Sequence, residues 1–99
     1  MTNGIALTSR VKTSGDVVFR DLEGELVLLN LKTGVYFGLD PVGTRIWQLI
    51  QERQSLHEVL RSAVEEYEVA EHRCEEDLLR FVAALRENGL VEVDSGPAA

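Results

Sequence analysis

The sequence predicts an α+β domain of winged-helix-like type, a three-stranded antiparallel sheet followed by three helices in the order βββααα. Two observations carry this. Before Asp40 the apolar residues come in short β-prone runs separated by turn clusters. After Asp40-Pro41 they recur every three or four residues, the period of a helix with one buried side.

The first strand is read at Val17-Val18-Phe19, between Ser14-Gly15-Asp16 and the turn cluster Asp21-Leu22-Glu23-Gly24. Residues 26–29 are apolar at every position, as in a strand covered on both sides or flanked by neighbours. Lys32-Thr33-Gly34 reverses the chain, with Gly34 suited to positive φ, and residues 35–39 form the third strand. Asp40 then caps a helix whose first turn holds Pro41. Val42, Ile46, Leu49 and Ile50 share one side of it, with Trp47 adjacent. Ser55-Leu56-His57-Glu58 has the pattern of a capping box and opens a second helix with the stripe Leu56, Val59, Leu60, Ala63, Val64 and Tyr67. A third helix spans about 71–88, with Cys74, Leu78, Phe81, Val82 and Leu85 in one arc. Gly89 fits the left-handed cap, Leu90 folds back over the last turn, and Val91 and Val93 add a stub of strand. Residues 1–8 and 94–99 are expected to be weakly ordered, giving one domain over 1–99 with an ordered core of about 10–93.

Composition removes several function classes. The net charge is −7, with 17 acidic residues against 10 basic, which repels a phosphate backbone. The one cysteine makes no internal disulfide and there is no CxxC pair for zinc, so a reduced, cytoplasmic setting is expected. The N-terminal residues lack the apolar core of a secretory signal, and no window approaches the ~20 apolar residues of a membrane span.

Residues 24–50 are the most informative stretch: strand, tight turn, strand, capped helix. The turn at Gly34, the pair Tyr36-Phe37, the step Leu39-Asp40, then Gly43 and Ile46-Trp47 follow the pattern of PqqD-like proteins. The second helix and the ending Asn88-Gly89-Leu90-Val91 also look similar, so the resemblance covers roughly 15–93. Asp40 stands where that family often has Asn, and caps equally well. These proteins recognise the leader segment of ribosomally made, post-translationally modified peptides. The resemblance implies that a leader adds as a strand along the third strand, in a groove against the third helix.

The residues make that sensible. A meander leaves its third strand at an edge, and Val35, Tyr36, Phe37 and Gly38 include no Lys or Pro to blunt it. Gly38 lets a second backbone approach, as β-augmentation requires. Whichever of Tyr36 and Phe37 points inward is more simply a core residue than a peptide contact. On the third helix, Cys74, Leu78, Phe81 and Leu85 read as core, flanked on one side by Arg73, Asp77, Arg80 and Ala84 and on the other by Glu75, Leu79 and Arg86. The sequence alone does not choose the flank, nor exclude a solvated charged face. The first flank is taken, because its alternating charges could fix a peptide's register. The candidate peptide-binding residues are therefore Val35, Tyr36, Phe37, Gly38, Arg73, Cys74, Asp77, Leu78, Arg80, Phe81 and Ala84.

Catalytic and metal readings are weak. His72 and Cys74 lie two apart and point to different faces of a helix. Cys74 sits on an apolar arc that favours an inert thiol, His57 belongs to a helix start, and there is no glycine-rich phosphate loop. The acidic residues from Glu65 to Asp77 read as a solvated face. The expectation is a non-enzymatic binder with no metal or organic cofactor. Its partners would be a precursor leader peptide and a pathway enzyme such as a leader protease, a cyclase or a radical enzyme, with no nucleic acid and no membrane. Among the pathways that the resemblance covers, the discrete leader-binding protein of a lasso-peptide cluster is favoured. The competing classes are a winged-helix DNA-binding regulator and a structural dimerisation domain.

Overall fold

A computed structural model describes residues 5–94. The elements are β1 (Arg10–Thr13), β2 (Val17–Leu22), β3 (Glu25–Asn30), β4 (Val35–Gly38), α1 (Pro41–Arg53), α2 (Leu56–Tyr67), α3 (Glu71–Glu87) and β5 (Val91–Asp94). Strands β2, β3 and β4 form the expected antiparallel meander in that order, and β1 pairs with β5 in a separate ribbon.

In β3, Leu26, Leu28 and Asn30 are buried while Val27 and Leu29 are half-buried. The apolar run thus reflects two flanking strands and one face packed on helices, rather than cover on both faces. β2 runs three residues beyond Phe19, into the first half of the turn cluster, and Glu23-Gly24 alone make the turn. The cause is the two-residue connection Glu23-Gly24, whose φ values of 59° and 93° suit a primed turn and keep the strands paired up to Leu22 and Glu25. At the next hairpin Gly34 has φ 78° and donates its N–H to Asn30 O at 2.7 Å.

Asp40 caps α1 as expected, its Oδ1 accepting from Gly43 N at 2.7 Å with Pro41 next in the chain. Ser55 does not cap α2 with its side chain. Its backbone instead bridges Arg10, and Leu56 N–H donates to Ser9 O, so the start of α2 is tied to the chain near β1. At the end of α3, Gly89 has φ 70°, Leu90 N–H donates to Leu85 O at 2.9 Å, and the Leu90 side chain is fully buried.

Two sequence expectations are corrected at the chain ends. Ile5 is buried in the core, and Ala6 N–H donates to Ser9 Oγ, so the order reaches into residues 1–8. Arg10–Thr13 forms a strand that pairs from Arg10↔Asp94 to Thr13↔Val91, so Asp94 belongs to an element rather than to a tail. The expectations for 1–4 and 95–99 fall outside the described residues. The core is built on Trp47, Leu28, Leu49, Ile50, Leu56, Leu60, Leu85 and Leu90. Phe19 sits edge-on to Trp47, ring centroids 6.1 Å apart.

Candidate functional site

The outer edge of β4 has a defined set of free backbone groups. Leu39 N–H donates to Leu26 O at 2.8 Å, and the register pairs Leu28 with Phe37 and Leu29 with Tyr36. Bonded and non-bonded pairs alternate along an antiparallel ladder. Val35, Phe37 and Leu39 therefore turn their backbone groups toward β3, and Tyr36 and Gly38 turn theirs outward. The side chains sort differently. Phe37 lies on the inner face with Leu28 and packs against the core, whereas Tyr36 lies on the outer face and is 71% exposed.

Beside this edge the three helices enclose an open, mainly apolar cavity of about 510 Å³. That lies within the range of about 300–1,000 Å³ usual for ligand sites. Phe37 and Gly38 form the strand side, and Arg73, Cys74, Asp77, Leu78 and Phe81 form the α3 side. The remaining candidates stand apart from the lining: Val35 at the start of β4, Tyr36 by its outer-face side chain, and Arg80 and Ala84 farther round α3. Glu75, Leu79 and Arg86 of the opposite flank do not line it either.

Sequence reasoning missed the third wall. Val42, Gly43 and Ile46 of α1, Ala63 and Tyr67 of α2, and Val69 between the helices all face the cavity. Val42, which shares the apolar side of α1 with Ile46, Leu49 and Ile50, is 50% exposed. The available signal was the excess of apolar residues on α1 and α2 over what one buried stripe needs. A Cβ at Gly43 would lie 3.5 Å from the Phe81 ring, so α1 and α3 approach closely here.

Two polar joints hold these walls. Asn30 is buried and ties the β3–β4 hairpin to the end of α3. Its Nδ2 donates to Asn88 O at 3.2 Å and Gly89 O at 3.1 Å. Its Oδ1 accepts from Lys32 N at 2.9 Å and Thr33 N at 3.3 Å. Across the helices, Arg45 donates Nε and Nη2 to the two carboxylate oxygens of Glu66, at 2.8 and 2.7 Å. That hydrogen bond pulls the Glu66 carboxyl below its ordinary range and raises the Arg45 guanidinium further.

The chemistry of the lining is that of a binding surface. Burial pushes the Cys74 thiol above its ordinary range, with Asp77 and Glu71 adding to the effect, which disfavours the nucleophilic thiolate. His72 pairs with Glu76 at 3.3 Å on an exposed turn. Among the described residues no group of three His, Cys, Asp or Glu is placed to hold a metal ion, and no helix is long and apolar enough to cross a membrane.

The family described as coenzyme PQQ synthesis protein D (PqqD) matches residues 25–91, most of the chain. The protein belongs to the PqqD family. Two solved structures are similar to it over most of its length. One is described as TbiB1 in complex with the TbiA(beta) leader peptide: 43% identity, 82% of this chain and 94% of that one covered, TM-score 0.78. The other is described as lasso peptide synthetase B1 complexed with the leader peptide: 25% identity, 84% and 98% covered, TM-score 0.77. No curated protein matches. PqqD-like leader-binding partner proteins are generally non-catalytic.

Proposed function

We propose that this PqqD-family chain grips the leader of a ribosomal precursor peptide by adding it as a strand to β4, beside α3, and delivers it to modifying or leader-cleaving enzymes without catalysing a step itself. The observation that carries the reading is the pairing of an open strand edge, at Tyr36 and Gly38, with an apolar cavity along the same side. Backbone bonds along such an edge give affinity and pockets for alternate side chains give specificity. The two similar structures are leader-peptide complexes, which supports a leader as the occupant and a lasso-peptide pathway as the setting. The pathway enzymes expected beside it are a leader-cleaving cysteine protease and an ATP-dependent cyclase, in the cytoplasm.

The DNA-binding alternative fits poorly. α3 would be the recognition helix, yet it carries Arg73, Arg80 and Arg86 against Glu71, Glu75, Glu76, Asp77 and Glu87, the wrong sign for a phosphate groove. Fluorescence anisotropy separates the readings, with labelled TbiA(beta) leader peptide and a labelled DNA duplex as probes. The expected result is saturable peptide binding that changes little with salt, and no duplex binding at physiological salt. Duplex binding without saturable peptide binding would overturn the proposal.

A further inference from the structure

We infer that Arg73 makes this groove selective for leaders that place a carboxylate side chain at its rim. The inference rests on the leader-binding reading and adds the chemistry of one contact. Three residues that carry formal charge at neutral pH line the cavity: Asp40, Arg73 and Asp77. Asp40 is committed to capping α1, its Oδ1 held by Gly43 N at 2.7 Å. Asp77 has a local counter-ion in Arg80, with Oδ1 and Nη1 3.6 Å apart. Arg73 has neither an ion-pair nor a hydrogen-bond partner among the described residues. The uncommitted charge of the lining is therefore a single guanidinium beside the apolar surface of Cys74, Leu78 and Phe81.

A peptide strand lying on Tyr36 and Gly38 sends alternate side chains into this cavity. An apolar side chain suits the floor. A residue at an even spacing from that anchor shares its face, and Asp or Glu there meets the fork of donors that an unpaired Arg presents. The local preference opposes the global one. A net charge of −7 attracts basic peptides weakly at every position. Selection by Arg73 thus has a signature that general electrostatics does not produce: one position where acid is favoured, within a profile that otherwise favours base.

The test uses the full chain and the TbiA(beta) leader peptide, with each peptide position replaced in turn by Asp and by Lys. Affinities are measured at low and at physiological salt, for wild type and for Arg73→Glu and Arg73→Gln. Arg73 is exposed, so both variants should fold, which circular dichroism checks. In wild type, Asp should bind about three- to tenfold more tightly than Lys at one groove-facing position, the scale of partly screened ion pairs. Arg73→Gln should level that position and Arg73→Glu should reverse it, with the rest of the profile unchanged. A scan with the same profile in wild type and Arg73→Glu would overturn the inference while leaving leader binding intact. Absence of saturable binding by every peptide would remove the leader-binding reading and this inference with it.

Discussion

β2 and β4 are the two edges of one sheet, and among the described residues the open apolar cavity lies beside β4. On β2 the ladder bonds fall at Val18, Arg20 and Leu22, because Leu31 N–H donates to Asp16 O and bonded pairs alternate from there. Phe19 therefore turns its backbone outward, as Tyr36 does on β4. The surroundings differ. The β2 edge carries Arg20 and Asp21 beside a ring packed edge-on to Trp47, and none of its residues lines the apolar cavity. The β4 edge runs beside the open apolar space under α3. Free backbone donors are therefore not what marks the site. A strand gains affinity for a peptide when its edge adjoins a place to bury side chains.

Proline at matched positions breaks this comparison most directly. Phe37→Pro removes a bond to β3 and wedges a ring into the ladder, so it should abolish folding, read as loss of a cooperative thermal transition. Tyr36→Pro leaves the ladder to β3 intact and should remain folded. It should lose tenfold or more in affinity for its leader peptide, because a lost backbone bond of about 0.5–1.5 kcal/mol is joined by a clash with the incoming strand. Phe19→Pro makes the same backbone lesion on the other edge. It should cost stability, chiefly the aromatic contact of about 0.5–1.5 kcal/mol, and leave leader affinity within twofold or so. Equal loss of affinity in Phe19→Pro and Tyr36→Pro would erase the distinction between the edges.

Asn30→Ala tests the joint that holds the β4 edge beside α3. It removes hydrogen bonds to four backbone groups, so a loss of about 2–3 kcal/mol is expected in urea unfolding. Leader affinity should fall as well, because the strand wall is no longer tied to the helix wall. A variant of unchanged stability would show that the walls are fixed by packing alone.

Cys74→Ala probes the groove from the helix side. A small loss of packing, on the order of 1 kcal/mol, is expected, with leader binding retained and no metal released in elemental analysis. Stoichiometric zinc present in wild type and lost in the variant would refute this. Because the folded thiol titrates above its unfolded value of about 8.5, its contribution is fully present below that pH and is lost as pH rises through the folded pKa. The alanine variant should lack that component of alkaline destabilisation.

The smallest effect belongs to Glu66. Its carboxyl is held below the unfolded value of about 4.3, so the stability from the Arg45 pair is present above that pH and lost as pH falls through the folded pKa. Glu66→Gln should flatten the acid limb of the stability–pH curve slightly, since the pair is exposed and screened. An unchanged acid limb would show that Arg45 and Glu66 do not hold α1 and α2 together.

The sequence by itself determined the elements whose information is local. The unbroken apolar run of β3, the Asp40-Pro41 start of α1, the three- and four-residue spacing of the helices and the Gly89 cap each depend on neighbours within a turn or two. Those signals placed the meander, the three helices and the strand edge. Only the tertiary structure decided what depends on residues far apart. The sequence of β1, Arg10–Thr13, carries one buried apolar residue, Val11, and becomes a strand because β5 returns to it from the opposite end of the chain. Ser55 makes no side-chain cap, and its backbone instead bridges Arg10, far off in the sequence. The cavity acquired Val42, Ala63 and Tyr67 because the crossing of α1 and α2 turned those positions toward α3. Asn30 looks like an ordinary turn residue until the end of α3 arrives against it. Periodicity states which face of an element is apolar. It does not state how much of that face a neighbour will cover, and the part left uncovered is the groove.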